Sequence, residues 1–346
     1  MRKKMIPKPV TIITGFLGAG KTTFLNHFHS FYRENGRRVL IIENEFGEEG
    51  IDSELVIAPD NKIFEFNNGC LCCNLNEDLF TLLEELGNRN ETFDELVIET
   101  TGIADPAKIA VPFLINQSVS KYYRLERVIG LVDIMLIETF LSKTDEAIRQ
   151  ISFSDILIIN KTDSVNASKV NNIKTLLEEI NPLASVMTGN KILGYPLKEI
   201  SDFIRNDNKK DQQWLTHYEN HDHHDDDHHH HHQSHNHDHD ITSLSFSFSE
   251  TFNVEKLQLH LMLLLNLQTE YIYRVKGIIQ AEQNSNKVVL QSVATFLEVS
   301  EGASWKTGED RISRIVFIGK YLKRKGFEEL LRECLTTYKL PHLKET

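Results

Sequence analysis

The sequence contains little cysteine, with four residues in a chain of 346. Three of the four are clustered at Cys70, Cys72 and Cys73, too close together to link distant segments. This excludes the disulfide framework that stabilises many small secreted domains. Thiols of reducing compartments more often serve metal binding or catalysis, so the cysteine usage predicts a cytoplasmic protein.

Long apolar runs and an excess of positive charge are also missing. No apolar run reaches the ~18 residues of a membrane span. The basic N-terminal segment leads through a short apolar run into a glycine-rich loop, which predicts a strand and not a signal peptide. The formal net charge is -12 with histidines neutral. Nucleic acids and anionic membranes attract basic surfaces, so neither is predicted as the main partner.

Short, continuously apolar runs alternate with helical patterns in the first part of the chain. Such runs suit strands that are buried on both faces of a parallel sheet. Their alternation with helices predicts a doubly wound, mostly parallel α/β domain over residues 1–205. The apolar runs are VTIIT (10–14), VLIIE (39–43), ELVIET (95–100), RVIGLVD (127–133) and DILIIN (155–160).

The composition changes after residue 205. Residues 206–241 are polar and offer little apolar surface to offset chain ordering, which predicts a disordered linker. The residues beyond them predict a smaller α+β domain over residues 242–346. Its predicted elements are a strand with the alternating sequence SLSFSFS, an amphipathic helix NVEKLQLHLMLLLNL, further β-rich segments and a helix FEELLRECLTTY.

The segment GFLGAGKTT (15–23) matches the phosphate-binding pattern G-x-x-x-x-G-K-[ST] between a strand and a helix. Backbone N–H groups of such a loop and the following helix N-terminus favour phosphate. We expect Lys21 at the β- and γ-phosphates, Thr22 at Mg²⁺ and Thr23 near the α-phosphate. The alternative is a glycine-rich turn without a ligand. The predicted nucleotide-binding residues of the loop are Gly15, Gly18, Ala19, Gly20, Lys21, Thr22 and Thr23.

Asn160, Lys161 and Asp163 belong to an N-K-x-D motif that follows a late buried strand. The carboxylate of Asp163 can accept hydrogen bonds from both N–H groups on the guanine edge, which adenine lacks. Asn160 is expected to hold the loop and the base, and the stem of Lys161 to cover the base plane. A four-letter match is weak alone, and the position after a strand strengthens it. The motif predicts selection of GTP over ATP.

The segment ELVIETTG places Glu99 at a strand end and Gly102 three residues later. Many GTPases have D-x-x-G here, where the acid lies near Mg²⁺ and the glycine N–H contacts the γ-phosphate. Glu99 is expected either to contact Mg²⁺, directly or through water, or to polarise the attacking water. Lys21, Thr22 and Glu99 are therefore the predicted catalytic residues. Asp105 precedes a proline and is predicted to cap a helix.

The clustered thiols of Cys70, Cys72 and Cys73 follow KIFEFNNG, which predicts a strand and a turn. They are expected on a loop at the edge of the sheet nearest the phosphates. Two or three thiolates suit Zn²⁺ or Cu(I), with a further ligand from elsewhere, and ENEFGEEGID (43–52) offers carboxylates. Two alternatives stay open: buried structural cysteines, and a strained vicinal disulfide between Cys72 and Cys73.

The chain resembles the CobW-type P-loop GTPases, a family of zinc metallochaperones among the nickel- and cobalt-handling G proteins. The resemblance rests on five segments: TGFLGAGKTT, ENEFGEEGID, NGCLCC, VIETTGIADP and NKTD. The resemblance continues into YRVKGII and RIVFIG and covers nearly the whole chain. It implies slow GTP hydrolysis coupled to metal transfer to a client protein. It also implies a metal site on the C-x-C-C thiolates, assisted by Glu43 and Glu48.

The expected ligands are GTP or GDP, Mg²⁺ and Zn²⁺, with Co²⁺ or Ni²⁺ as alternative cargo. Two other functions stay open: a metal-storage or sensing protein whose nucleotide state regulates partner docking, and an accessory protein for cobalt insertion in cobalamin synthesis. Association of the chain with further copies of itself is also left open by the sequence.

A histidine tract, HDHHDDDHHHHHQSHNHDHD (221–240), holds 11 of the 16 histidines. Imidazole is a ready ligand for divalent metals, so the tract predicts a weak, multi-site metal reservoir. The alternative is a solvated linker that binds metal incidentally. The candidate ligands are His221, His223, His224, His228, His229, His230, His231, His232, His235, His237 and His239.

Overall fold

The computed structural model describes residues 6–43, 63–65, 71–88, 92–203, 241–282 and 284–338. Within them the chain forms a seven-stranded parallel sheet, followed by a five-stranded antiparallel sheet. The predicted fold class, a P-loop GTPase-like α/β domain with a smaller C-terminal domain, is confirmed. The predicted domain boundaries stay a prediction. None of the described helices is both long and apolar enough to cross a membrane.

The parallel sheet has the strand order β3-β2-β4-β1-β5-β6-β7. Because all its strands are parallel, their carboxyl ends lie at one edge, where ligands bind in open α/β sheets. Two register pairs mark this edge: Glu43 with Glu99, and Asp133 with Asn160. The strands are β1 (Lys8–Gly15), β2 (Val39–Glu43), β3 (Ile63–Glu65), β4 (Glu95–Glu99), β5 (Tyr123–Asp133), β6 (Ile156–Asn160) and β7 (Ser185–Thr188).

Helices cover both faces of this sheet, as the continuously apolar strands predict. The neighbours Ile12 and Ile13 are both fully buried, but they belong to different core clusters on opposite faces. Asp105 caps a helix as predicted, since its Oδ1 accepts from the N–H of Ala107 at 2.9 Å. The helices are α1 (Lys21–Glu34), α2 (Leu71–Asn88), α3 (Pro106–Ile115), α4 (Gln117–Ser120), α5 (Ile137–Lys143), α6 (Asp145–Phe153), α7 (Ala167–Ile180) and α8 (Leu197–Ser201).

The start of α2 corrects one prediction. Cys72 and Cys73 were expected on a loop, but the backbone at both residues belongs to the first turn of α2. Burial of Leu79 and Leu83 anchors this helix to the core, and no proline or glycine interrupts the residues between them and Leu71. The helix therefore begins at Leu71, and the backbone of Cys72 and Cys73 is helical.

The antiparallel sheet has the strand order β11-β10-β9-β12-β8. Two helices pack on one of its faces through Leu257, Leu261 and Phe327. Tyr273 and Val293 are instead buried in core clusters of the first domain, so the two domains share packed surface. The elements are β8 (Ile241–Phe248), α9 (Val254–Leu267), β9 (Ile272–Gln280), β10 (Asn286–Val293), β11 (Phe296–Ser304), β12 (Ser313–Lys320) and α10 (Arg324–Glu333).

Helix α9 is less amphipathic than its sequence predicts. It buries one leucine row against the sheet, but its outer face is also apolar. Leu259 is 57% exposed, Leu263 55% and Leu267 83%. Burial of one face therefore fixes the helix on the sheet, and the other leucines are free to face solvent.

Candidate functional site

The phosphate-binding loop connects β1 to α1 at the carboxyl edge of the parallel sheet. Gly15, Gly18 and Gly20 have φ angles of 146°, 75° and 93°, which side-chain-bearing residues rarely adopt. The Nζ of Lys21 donates to the carbonyl of Gly15 at 3.1 Å, so the lysine lies along the loop. A glycine-rich loop before a helix N-terminus with a lysine alongside is suited to a polyphosphate.

Thr22 and Glu99 meet beside this loop. The Oγ1 of Thr22 donates to Oε1 of Glu99 at 3.0 Å, and Glu99 is largely buried at the end of β4. Both ligands are oxygens, which is the donor set that Mg²⁺ prefers, so the residues present fit this ion. Thr23, the next residue, is exposed at the start of α1.

The loop after β4 packs directly against the phosphate-binding loop. A Cβ atom on Gly102 would lie 2.7 Å from the backbone nitrogen of Leu17 and 2.8 Å from its Cα. Only glycine permits this approach. Thr100 anchors the loop, since its N–H donates to the carbonyl of Ile13 at 2.9 Å and its Oγ1 donates to Oγ1 of Thr14 at 3.1 Å. Glu99 and Gly102 therefore lie at the same edge as Lys21.

The N-K-x-D motif is tied to the phosphate-binding loop. The Nδ2 of Asn160 donates to the carbonyl of Ala19 at 2.8 Å, across 141 residues of sequence. A Cβ on Gly20 would collide with this amide, so the glycine is needed for the contact as well as for its φ. The two motifs are thus in direct, buried contact.

Lys161 has an unusual backbone conformation for a lysine, with φ at 62°. Its N–H donates to Oδ1 of Asn160 at 2.9 Å, and its Nζ pairs with Oδ2 of Asp133 at 2.7 Å. Asp163 follows in a short 3₁₀ turn, Thr162–Ser164, with its side chain exposed. The carboxylate is therefore accessible to a base, and the lysine stem beside it is held in place.

Several residues around the N-K-x-D motif were not predicted from the sequence. Asp133 ends the apolar strand β5, in register with Asn160, but it belongs to no motif. Asn190 donates from Nδ2 to Oγ1 of Thr162 at 3.1 Å. The hydroxyl of Tyr195 donates to Oδ1 of Asn160 at 3.2 Å, and burial raises the pKa of this tyrosine. Asn190 and Tyr195 follow the short edge strand β7, which the sequence pattern does not predict.

Of the predicted zinc ligands, Glu43 has a described side chain. It ends β2, it is 7% exposed, and it is in register with Glu99 on the neighbouring strand. Cys70, Glu48 and the histidine tract lie outside the described residues. Among the residues that the structure describes, no group of three or more His, Cys, Asp or Glu side chains could hold a metal ion.

Cys334 is the fourth cysteine, and it is buried at the C-terminal end of α10. Burial raises the pKa of its thiol to about 11. Relative to a thiol with a pKa of 9.0, the thiolate fraction at pH 8 is then about 100-fold lower. We expect Cys334 to resist iodoacetamide in the folded protein and to react in urea, as followed by peptide mass spectrometry. Equal labelling in both states would contradict the burial.

Residues 9–188 match the family model described as CobW/HypB/UreG, nucleotide-binding domain. Residues 241–335 match the one described as Cobalamin synthesis protein cobW C-terminal domain. Zinc chaperone YjiA of Escherichia coli (strain K12) is 38% identical over 188 residues, covering 53% of this chain and 58% of that protein. Zinc-regulated GTPase metalloprotein activator 1 of Schizosaccharomyces pombe is 33% identical over 218 residues, covering 60% and 52%.

The chain thus spans about half the length of the curated relatives it matches. Among solved structures, the crystal structure of Zn(II)-bound YjiA GTPase from E. coli aligns with a TM-score of 0.65 and 25% identity. That alignment covers 95% of this chain and 99% of the other, so it extends over both sheets.

Proposed function

Because the chain belongs to the CobW/HypB/UreG family of nucleotide-binding proteins, we propose that it is a GTP-hydrolysing metallochaperone. It binds GTP at the carboxyl edge of the parallel sheet and Zn²⁺ at the C-x-C-C cluster of Cys70, Cys72 and Cys73. Hydrolysis is coupled to transfer of the metal to a client protein in the cytoplasm. Co²⁺ and Ni²⁺ are the alternative cargo.

Each described side chain at this edge is assigned to one part of the nucleotide. Asp163 reads the guanine edge, and Lys21 neutralises charge on the β- and γ-phosphates. Thr22 and Glu99 would hold Mg²⁺, and the ion would supply further neutralisation of the phosphate oxygens. Gly102 lies against the loop that carries these groups, so its N–H is assigned to the γ-phosphate. The role of Glu99 includes orienting the attacking water.

The single observation that carries the coupling is the register of Glu43 and Glu99. Glu99 accepts the Thr22 hydroxyl at 3.0 Å, and Glu43 occupies the same level one strand away. Neighbouring strands lie about 4.8 Å apart. Glu43 also begins the segment 43–52, which includes Glu48. A structural change at Glu99, beside the γ-phosphate, would thus occur one strand away from Glu43, the carboxylate proposed as a zinc ligand.

The names of the relatives support zinc as the cargo, since one is called a zinc chaperone and another a zinc-regulated GTPase metalloprotein activator. The oxygen-only set of Thr22 and Glu99 and the sulfur-rich cluster also suit different ions. Hard Mg²⁺ takes oxygen ligands, whereas Zn²⁺ readily takes thiolates. The two metals therefore need not compete for one site.

Zinc affinity in two nucleotide states tests this proposal. Deletion of residues 221–240 removes the histidine reservoir. The zinc affinity of the shortened protein is then measured by titration, once in the presence of a GTP analogue and once in the presence of GDP. We expect the two affinities to differ by about 5- to 150-fold, the range of ordinary coupling energies. Equal affinities would contradict the coupling.

Variants of the cluster give the second arm of this experiment. Cys72→Ser with Cys73→Ser should abolish the tight zinc site, because hydroxyls are poor zinc ligands. Cys334→Ser is the matched control, since it removes a buried thiol outside the cluster. Retention of tight zinc by the cluster variant would exclude the C-x-C-C site.

The histidine tract favours a second candidate function, storage or sensing of metal. In that case the nucleotide would regulate partner docking, and hydrolysis would not respond to cargo. Phosphate release from GTP, with ATP as the control, separates the two. Stimulation by zinc or by a client extract supports the metallochaperone, and a constant rate supports storage.

A further inference from the structure

The loop after β4, residues 100–105, is called here the γ-phosphate loop, because the N–H of Gly102 is assigned to the γ-phosphate. Helix α6 lies between this loop and the C-terminal domain. On one side, Gln150 is 3% exposed and its Nε2 donates to the carbonyls of Gly102 at 3.1 Å and Ala104 at 3.2 Å. The amide has two hydrogens, so one side chain supplies both bonds. Two carbonyls of the turn after Glu99 are therefore fixed to α6.

On the side of α6 that faces the C-terminal domain, Arg274 of β9 donates hydrogen bonds to the C-terminal end of the helix. Its Nη1 lies 3.2 Å, 2.7 Å and 3.2 Å from the carbonyls of Ser152, Phe153 and Ser154, and its Nη2 donates to Oδ1 of Asp155 at 2.7 Å. The guanidinium is 1% exposed. Cationic donors at a helix C-terminus complement its dipole, so this arginine fixes the helix end to the C-terminal domain.

The middle and the start of α6 are held by the same domain. The guanidinium of Arg149 lies 4.7 Å from the ring centroid of Tyr273, and its Nη1 is 3.9 Å from Oδ2 of Asp105, which ends the γ-phosphate loop. Lys320 of β12 pairs with Asp145, the first residue of α6. Contacts with the C-terminal domain thus extend along the whole helix.

We propose that Gln150 is a positioning residue for the γ-phosphate loop, and that α6 makes this positioning depend on the C-terminal domain. The inference rests on the proposed function, because the N–H of Gly102 is assigned there to the γ-phosphate. Gln150 restricts the rotation of Gly102 by holding its carbonyl. GDP lacks the γ-phosphate, so its binding depends on the P-loop and the N-K-x-D motif alone.

The test compares a GTP analogue with GDP in the full chain. Gln150→Met keeps the length of the side chain and removes both donors. We expect the dissociation constant of the analogue to rise about 10-fold and that of GDP to change less than about twofold. Gln291→Met is the matched control, since Gln291 is buried in the C-terminal domain and bonds Glu298 at 3.2 Å.

A second variant tests the link to the C-terminal domain. Arg274→Lys keeps the charge and loses the fork that reaches the α6 carbonyls. Arg127→Lys is its control: Arg127 is equally buried, pairs with Glu95 at 3.0 Å and bonds the carbonyl of Ser201 at 3.2 Å. We expect Arg274→Lys to reduce the preference for the analogue over GDP about threefold or more, and Arg127→Lys to leave it unchanged.

The outcomes separate this inference from the proposed function. An equal loss of both nucleotides in Gln150→Met, or an unchanged ratio, would overturn the positioning role. An unchanged ratio in Arg274→Lys would overturn the dependence on the C-terminal domain. Failure of the unmodified chain to bind either guanine nucleotide would refute the proposed function itself. Thermal unfolding of each variant identifies the folded samples, and Gln150→Leu, which also removes both donors, takes the place of Gln150→Met if that variant does not fold.

Discussion

Asp163→Asn is expected to weaken GTP binding at least about 100-fold and to strengthen binding of xanthosine triphosphate. The carboxylate can accept from both N–H groups of guanine, and each bond to a charged group contributes about 1.5–3 kcal/mol. Asparagine replaces one acceptor with a donor, which then faces the 2-amino group of guanine. Xanthine has a carbonyl oxygen at that position, so the same donor becomes a partner.

Titration with fluorescent analogues of both nucleotides measures this exchange. Asp163 is exposed in its 3₁₀ turn, so the fold should tolerate the change. Asp202→Asn is the matched control, because Asp202 is an exposed acid at the end of α8 and outside the motif. If Asp163→Asn keeps the preference of the unmodified chain for GTP, the N-K-x-D motif does not read the base.

The motifs that could be predicted from sequence are local. The P-loop lies within nine residues, and its strand–loop–helix context is also local, so Gly15 to Thr23 were found without any knowledge of distant contacts. The apolar strands share this property, because burial on both faces is visible in each run. Glu99, Asp133 and Asn160 end such strands, and parallel pairing brings their carboxyl ends together.

The contacts that the sequence did not reveal are distant in the chain. Gln150 bonds Gly102 across 48 residues, and Arg274 bonds Asp155 across 119. A periodic pattern indicates which face of a helix is buried, but it does not identify the partner of a polar residue on that face. Strands β7 and β11 are not among the predicted strands for a related reason, since both are edge strands of mixed apolar and polar residues whose formation depends on their neighbours.

Arg274→Met is expected to lower the free energy of unfolding by about 3–5 kcal/mol, because it leaves the carboxylate of Asp155 without its cation in the interior. The two side chains are 1% and 3% exposed. Urea denaturation followed by circular dichroism measures the change. In the double variant with Asp155→Asn the total should be smaller than the sum of the single effects, because no buried charge then remains unpaired.

The surface pair of Arg124 and Glu126 supplies the comparison. The side chain of Arg124 is 62% exposed, so Arg124→Met should cost less than about 1 kcal/mol. Equal effects of Arg124→Met and Arg274→Met would contradict a stabilising role for the buried pair. Arg274 belongs to the C-terminal sheet, whereas Asp155 immediately precedes β6, the strand that ends at Asn160. The pair therefore links the C-terminal sheet to the parallel sheet, so its loss in Arg274→Met should destabilise both sheets together.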